Sequence, residues 1–301
     1  MASKIVGEAA RILGDVDSDG IWGPVTATLD WCEANYQFSH YIAEMANSLS
    51  NLITVWFAVK GARQTSRYDL PRRYQFYWAG LLLVGLGSFA FHATLLYGPQ
   101  LADELPMIYV ASWSCFLLYD TQPGFNLRNR RSTTLLFAMA AFDILFTASY
   151  FVYRNPIYHQ FIFACTILTT AGRVTYLVHS SSEQTTKIPA HTKQTVLKMF
   201  WTGAAMFSLA FIIWNLDNVF CGTLTQWKRK VGWPFAFLLE GHSWWHALTA
   251  SGVYLMMEGV IYMTLLVKDN HQKYGLEYTR VGWPYVVRIP SGSVDGKPQK
   301  R

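Results

Sequence analysis

Three histidines, an aspartate and a serine stand out because they lie in or beside segments that are otherwise apolar. His92 sits in GSFAFHATLLYGPQLADELP, residues 87–106. Ser88 is four residues earlier, on the same face of a helix, and Asp103 and Glu104 follow eleven and twelve residues later. In HSWWH, His242 and His246 are spaced i,i+4, so one helical face carries both imidazoles, the spacing that an HExxH zinc helix also uses. Ionisable groups are costly inside a bilayer, and each therefore marks a candidate site. Three neutral imidazoles with a fourth position open form the donor set of a catalytic zinc. HSWWH lacks the glutamate base of HExxH, so the base must come from elsewhere, and Asp103 is the candidate. The competing readings are packing histidines, or an i,i+4 pair serving as axial ligands of haem.

A second cluster, LDWCEANYQFSHYIAE at 29–44, offers Asp30, Glu33, Asn35 and Glu44 as hard oxygen donors. Calcium takes six to eight oxygens, backbone carbonyls included. This is no EF-hand loop, and spacing alone favours a hydrated helix cap with Asp30 and Asn35 in turn positions. Asp143, His159, Arg173, Asp217, Asn218 and Glu258 are expected to form structural networks. Asp217 and Asn218 would orient a ligating histidine or cap a helix, and Arg173 would pair with an acid or reach the interface.

The elements that must position these groups follow from composition. The chain of 301 residues is 51% hydrophobic and only 15% charged, against about 25% charged in a soluble domain, and its mean hydropathy is positive. Runs long enough for a spanning helix, about 20 residues, recur at 39–60, 74–96, 104–119, 133–153, 157–178, 196–217 and 242–266. The first and third are polar or short. Backbone groups in lipid must be satisfied internally, so the expected fold is an all-α membrane protein, a seven-transmembrane helix bundle. Residues 1–38 would form an N-terminal segment, 39–266 the catalytic bundle and 267–301 a tail whose end, IPSGSVDGKPQKR, reads as disordered. Residues 1–20 lack the continuous apolar core of a cleavable signal, so the first hydrophobic helix is expected to direct insertion.

Orientation follows from Lys and Arg. The segments on the even-numbered side hold eighteen of the 25, and those on the other side hold six. The N-terminus is thus expected in the lumen and the C-terminus in the cytosol. The net charge of +6 then reflects topology, and no nucleic-acid partner is implied. His92, Asp103, His242 and His246 all fall at one depth, on the lumenal side. Cys115 and Cys165 read as small apolar fillers. Cys32 and Cys221 share the lumenal side, where disulfides persist, but spacing does not say whether they pair.

The segments WGPVTATLDWCEANY, YIAE, GSFAFHATL, QLADELPMIY, WNLDNVFC and HSWWHALTASG, taken together, resemble the alkaline ceramidases, including the fungal phytoceramidase and dihydroceramidase branch. That family belongs to a group of seven-helix membrane hydrolases that includes the adiponectin-receptor type. The resemblance runs from Trp22 to Gly252, with the motifs in order and at matching spacing. It implies a zinc-dependent amidase that cleaves ceramide, phytoceramide or dihydroceramide above all, to a sphingoid base and a free fatty acid, with the reverse synthesis open to the same site. By that resemblance His92, His242 and His246 hold zinc, Asp103 is the acid/base and Ser88 the polar group beside the scissile carbonyl. It also implies a calcium site at Asp30, the Trp31 carbonyl, Glu33, Asn35 and Glu44, replacing the helix-cap reading, and a Cys32–Cys221 disulfide. The expected partners are ceramide and membrane lipids, with no obligate protein partner, in the endoplasmic reticulum or Golgi membrane. One departure is Gly241, where a bulkier residue is usual and where the start of the last helix would be loosened. The rival reading is a non-hydrolytic lipid-sensing receptor on the same scaffold.

Overall fold

The computed structural model describes residues 20–127 and 129–290. The calls on residues 1–19 and on the end of the tail, 291–301, lie outside the described residues. In chain order the helices are α1 (Met45–Ser50), α2 (Leu52–Arg67), α3 (Arg73–Thr94), α4 (Tyr97–Tyr119), α5 (Arg130–Val152), α6 (Pro156–His179), α7 (Glu183–Thr186), α8 (Ala190–Val219), α9 (Cys221–Val231) and α10 (Gly241–Lys268). A two-stranded antiparallel sheet, β1 (Tyr274–Tyr278) and β2 (Pro284–Arg288), follows with Tyr274 opposite Arg288.

Among the described residues, six helices are long and apolar enough to cross a membrane: α3, α4, α5, α6, α8 and α10. The expected first span, 39–60, is instead occupied by extended chain followed by α1 and α2. Its polar residues explain the difference. Ser50 Oγ and Asn51 Nδ2 both donate to the Asn47 carbonyl at 2.9 Å. They compete there with the helical amide ladder, and the Asn51 amide turns to the Ser48 carbonyl at 3.2 Å. The third helix also differs. YGPQLAD reads as loop, yet α4 starts at Tyr97, so Asp103 lies well inside a helix.

Burial ranks the helices. The most apolar window of α10 is 83% buried, that of α5 only 11%. α10 is therefore the axis, and α5 is an outer wall. Gly203 of α8 and Gly252 of α10 meet backbone to backbone, each where a Cβ would strike the other's carbonyl. Small residues at such crossings let helices approach closely, which is how they associate where lipid is as apolar as leucine.

α3 and α4 are joined by only Leu95 and Leu96. Leu95 adopts a left-handed conformation, φ 52°, unfavourable for a non-glycine residue. Its side chain is fully buried, and its carbonyl accepts from the Thr26 and Ala27 amides at 3.2 and 3.0 Å. The N-terminal strap is thereby tied to the helix turn beside the site. Farther down the pair, Gly87 packs on the Ala102 carbonyl, and a Cβ there would overlap it. Pro106, four residues after Ala102, has no amide to bond that carbonyl.

At the bundle end remote from the histidines, Asp120 ties four helices. It accepts from Arg73 at 2.7 Å, from Ser132 at 2.7 Å and from Lys268 at 3.0 Å. All three ionic groups are buried. Burial alone would raise the Asp120 carboxyl, but Arg73, Ser132 and Lys268 outweigh it and hold it below its usual range. The hairpin closes this end. Glu258 accepts from the Val286 amide at 3.1 Å and Tyr254 donates to the Pro284 carbonyl at 2.7 Å. Among the described residues Arg173 meets no acid: its Nε donates to the Leu118 carbonyl at 3.3 Å, with Tyr119 and Tyr176 against its guanidinium.

Two predictions follow from this packing. Gly87→Ala is expected to destabilise by about 1–3 kcal/mol through overpacking. Gly98→Ala, in the same helix pair but with open space around its Cβ position, should stabilise by up to about 1 kcal/mol; thermal unfolding in detergent compares the two. Asp120→Ala leaves two buried cations without a counter-charge and should cost about 3–5 kcal/mol. Because the folded Asp120 carboxyl lies below its unfolded value, its contribution is complete above about pH 4. It is lost as pH falls through the depressed value, so the wild-type advantage over Asp120→Ala should shrink only on the acid side.

Candidate metal centre and its surroundings

His92 lies in the last turn of α3, and His242 and His246 lie in the first two turns of α10. All three are at least 95% buried, and one nitrogen of each comes within 4.8 Å of the others. Neighbouring groups fix which nitrogens converge. Glu44 Oε2 accepts from His92 Nδ1, which leaves Nε2 as a bare lone pair. Ser50 Oγ lies 2.8 Å from His246 Nδ1 and gives its own proton to the Asn47 carbonyl. The ring N–H must then point at Ser50, and Nε2 is again free. His242 Nε2 stands 3.3 Å from His92 Nε2, so a proton or a cation must lie between them. Nitrogens at about 2.0–2.1 Å from a tetrahedral zinc are themselves about 3.3 Å apart. The three residues fit that ion. They are the one group of three or more His, Cys, Asp or Glu among the described residues whose donor atoms close on a single point.

Ser88, one turn before His92, is buried and hydrogen-bonds the Asp103 carboxyl. The close packing at Gly87 is what brings α4 near enough for this. Next to Asp103, Glu104 accepts from Tyr150 at 2.7 Å and from Gln100 at 3.2 Å. Gln100 also bonds the strap, through Thr28, at 2.7 and 2.8 Å. Ser88, His92, Asp103, His242 and His246 all line one cavity of about 600 Å³, whose remaining walls are chiefly Leu, Phe, Val, Met and Trp.

The strap closes the site from above. Trp31 stacks on His242, centroids 3.8 Å apart and planes 16° from parallel. Cys32 is disulfide-bonded to Cys221 at the start of α9, with Cα atoms 5.3 Å apart. Glu33 accepts from the Ala46 and Asn47 amides at 2.6 and 2.8 Å and so caps α1. Burial nevertheless pushes the Glu33 carboxyl up to about 7, against the pull of those amides and of Lys228. Lys228 donates to Glu240 at 2.6 Å and to the Cys32 carbonyl at 3.2 Å. Burial likewise raises Glu240 to about 8, with Lys228 opposing. Asn35 Oδ1 and Glu44 Oε1 are buried with no hydrogen-bond partner among the described residues. Asp30, Trp31, Glu33, Asn35 and Glu44 lie along the strap and at its junction with α1, and among the described residues their carboxylates do not close on one point.

Gly241 is held rather than loosened. Its amide donates to Asp217 Oδ1 at 3.0 Å, and a Cβ would lie 2.8 Å from that oxygen. Asp217 therefore caps α10 from the end of α8. Sequence reading did not find Ser50, Asn51, Lys228, Glu240 or the role of Glu44 towards His92. Most lie far along the chain from their partners, Lys228 and Glu240 are twelve residues apart, and no local spacing signals any of them.

The family model described as Ceramidase matches residues 23–287. Alkaline ceramidase 3 of Mus musculus is 36% identical over 275 residues, covering 91% of this chain and 97% of that protein. Alkaline ceramidase YPC1 of Saccharomyces cerevisiae is 34% identical over 271 residues, covering 84% and 82%. An alkaline ceramidase of Arabidopsis thaliana is 28% identical over 240 residues, covering 79% and 85%. With a family model spanning most of its length and relatives above 30% identity over nearly the whole fold, this chain belongs to the alkaline ceramidase family.

Proposed function

We propose that the protein hydrolyses the amide bond of ceramide, releasing a sphingoid base and a fatty acid. Phytoceramide and dihydroceramide are the favoured substrates, and the reverse condensation is open to the same site. The observation that carries this reading is the meeting of three inward-facing imidazole nitrogens with a Ser88–Asp103 pair in one apolar cavity. A lipid amide needs both halves of that arrangement. A sensing receptor would need only the apolar half, and the intact polar half speaks against that rival.

His92, His242 and His246 would hold zinc, which when bound polarises the amide carbonyl and acidifies the attacking water. Asp103 takes the proton from the water and returns it to the amide nitrogen as the C–N bond breaks. One water is consumed, and a carboxylic acid and an amine leave. Ser88 steers the Asp103 carboxyl in the resting site and turns its hydroxyl to the carbonyl oxygen as negative charge builds there, a contribution of about 3–4 kcal/mol for one such donor. Glu44 and Ser50 hold the His92 and His246 rings with Nε2 facing inward. The apolar walls take the two hydrocarbon chains and exclude bulk water.

Calcium would bind at Asp30, the Trp31 carbonyl, Glu33, Asn35 and Glu44, satisfying the orphaned Asn35 and Glu44 oxygens. Its role is to hold the strap, and with it Trp31, against His242. α1 and α2 would complete a seventh crossing, with residues 1–38 in the lumen and the segment after 267 in the cytosol. That places the site at the lumenal edge of an endoplasmic reticulum or Golgi membrane.

Purified protein should carry about one zinc per chain. Asp103→Asn should retain that zinc and lose ceramide hydrolysis by about 10²–10⁴-fold, measured by product release from micellar substrate. Full activity in Asp103→Asn would refute the role given to it. Calcium must displace the proton that burial keeps on Glu33. Calcium affinity should therefore rise with pH through about 7 and level off above it. Calcium-dependent thermal shifts at pH 6, 7 and 8 read this out, and a pH-independent affinity would contradict it.

A further inference from the structure

His159, the fourth residue of α6, is 4% exposed and lines the same cavity as Ser88, His92 and Asp103. Its Nε2–H donates to the Glu104 carbonyl at 2.8 Å, which places the ring beside the residue next to Asp103. Phe146, Tyr150 and Phe163 surround it, with centroids 5.6 to 6.2 Å away, so the ring cannot swing freely. The other nitrogen, Nδ1, meets no protein donor among the described residues, and the residue carrying it lines the cavity. With Nε2–H committed to a carbonyl, the neutral ring presents Nδ1 as an acceptor. An acceptor on an otherwise apolar wall calls for a donor from whatever occupies the cavity.

We infer that His159 is a specificity-determining residue whose Nδ1 accepts a hydrogen bond from a hydroxyl of the substrate's sphingoid base, on a carbon next to the one bearing the amide nitrogen. This rests on the amide-hydrolase reading above. Asp103 must reach the amide nitrogen, and His159 is anchored one residue from Asp103, so the hydroxyls flanking that nitrogen are those within reach. The chemistry also selects against the commoner membrane lipids. A lone pair on Nδ1, together with the Asp103 and Glu104 carboxyl groups, disfavours a phosphate and favours a neutral head that donates protons. A site built to bond a hydroxyl rejects the analogue that lacks it far more strongly than an apolar pocket rejects a missing methylene.

The test is kcat/KM for wild type and His159→Phe on three substrates: an N-acyl sphingoid lipid, its 1-deoxy analogue and its 3-deoxy analogue. Phenylalanine suits the aromatic surroundings and removes both ring nitrogens. Wild type should disfavour one deoxy analogue by about 10³-fold or more. His159→Phe should lose a similar factor on the parent lipid and little more on that analogue, so that discrimination falls to about one. An equal loss on all three substrates means a structural role and overturns the inference. If the variant fails to fold, the wild-type series still decides: hydrolysis without discrimination against either deoxy analogue overturns the inference and leaves the hydrolase reading intact. Wild type that hydrolyses none of the three overturns the hydrolase reading, and this inference with it.

Discussion

The fold depends on one electrostatic constraint. Imidazole nitrogens with their lone pairs facing one another are held a few ångströms apart in a buried, apolar place. Lone pairs repel, and burial removes the water that would otherwise separate them. The arrangement persists only if each ring is fixed from behind and a cation or a proton sits in front. Much of the surrounding structure supplies the fixing from behind. Glu44 does so for His92, Ser50 for His246, and the Trp31 ring for His242.

This explains why a bundle meant for lipid tolerates so many polar residues at one end. Ser50 and Asn51 mark the break between α1 and α2, and the same two side chains lie beside His246. Asp217 gives up one of its oxygens to the first amide of α10, which sets where that helix begins and so where its two histidines point. Lys228 and Glu240 bury an ion pair to hold α9 against the strap. Each is a departure from the apolar pattern, and each can be traced to the orientation of a ring.

The sequence shows some of this clearly. The i,i+4 spacing of His242 and His246 and the placing of His92 and Asp103 at the ends of apolar runs carry the essential proximity, because helix geometry is local. The partners that orient the rings are not local. Glu44 and His92 are 48 residues apart and His246 is 196 from Ser50, and no periodicity connects them. Helix limits failed where composition misled. YGPQLAD looks like a loop, but it is helical, and its Gln100 bonds both Glu104 one turn on and Thr28 of the strap. The hairpin at 274–288 was hidden for a related reason: it was read together with the polar tail, although its aromatic and β-branched residues and Gly282 at the turn are a strand–turn–strand signal.

The division of the three histidines between α3 and α10 has a consequence for how the protein is made. The chain is synthesised from its N-terminus, and α10 is the last long helix to emerge. Until then the membrane holds five apolar helices without their axis, and a single imidazole backed by Glu44. Neither the glycine crossing with α8 nor the charge tie through Lys268 can form before that moment. The packed bundle and the three-histidine cluster are therefore completed by the same late event.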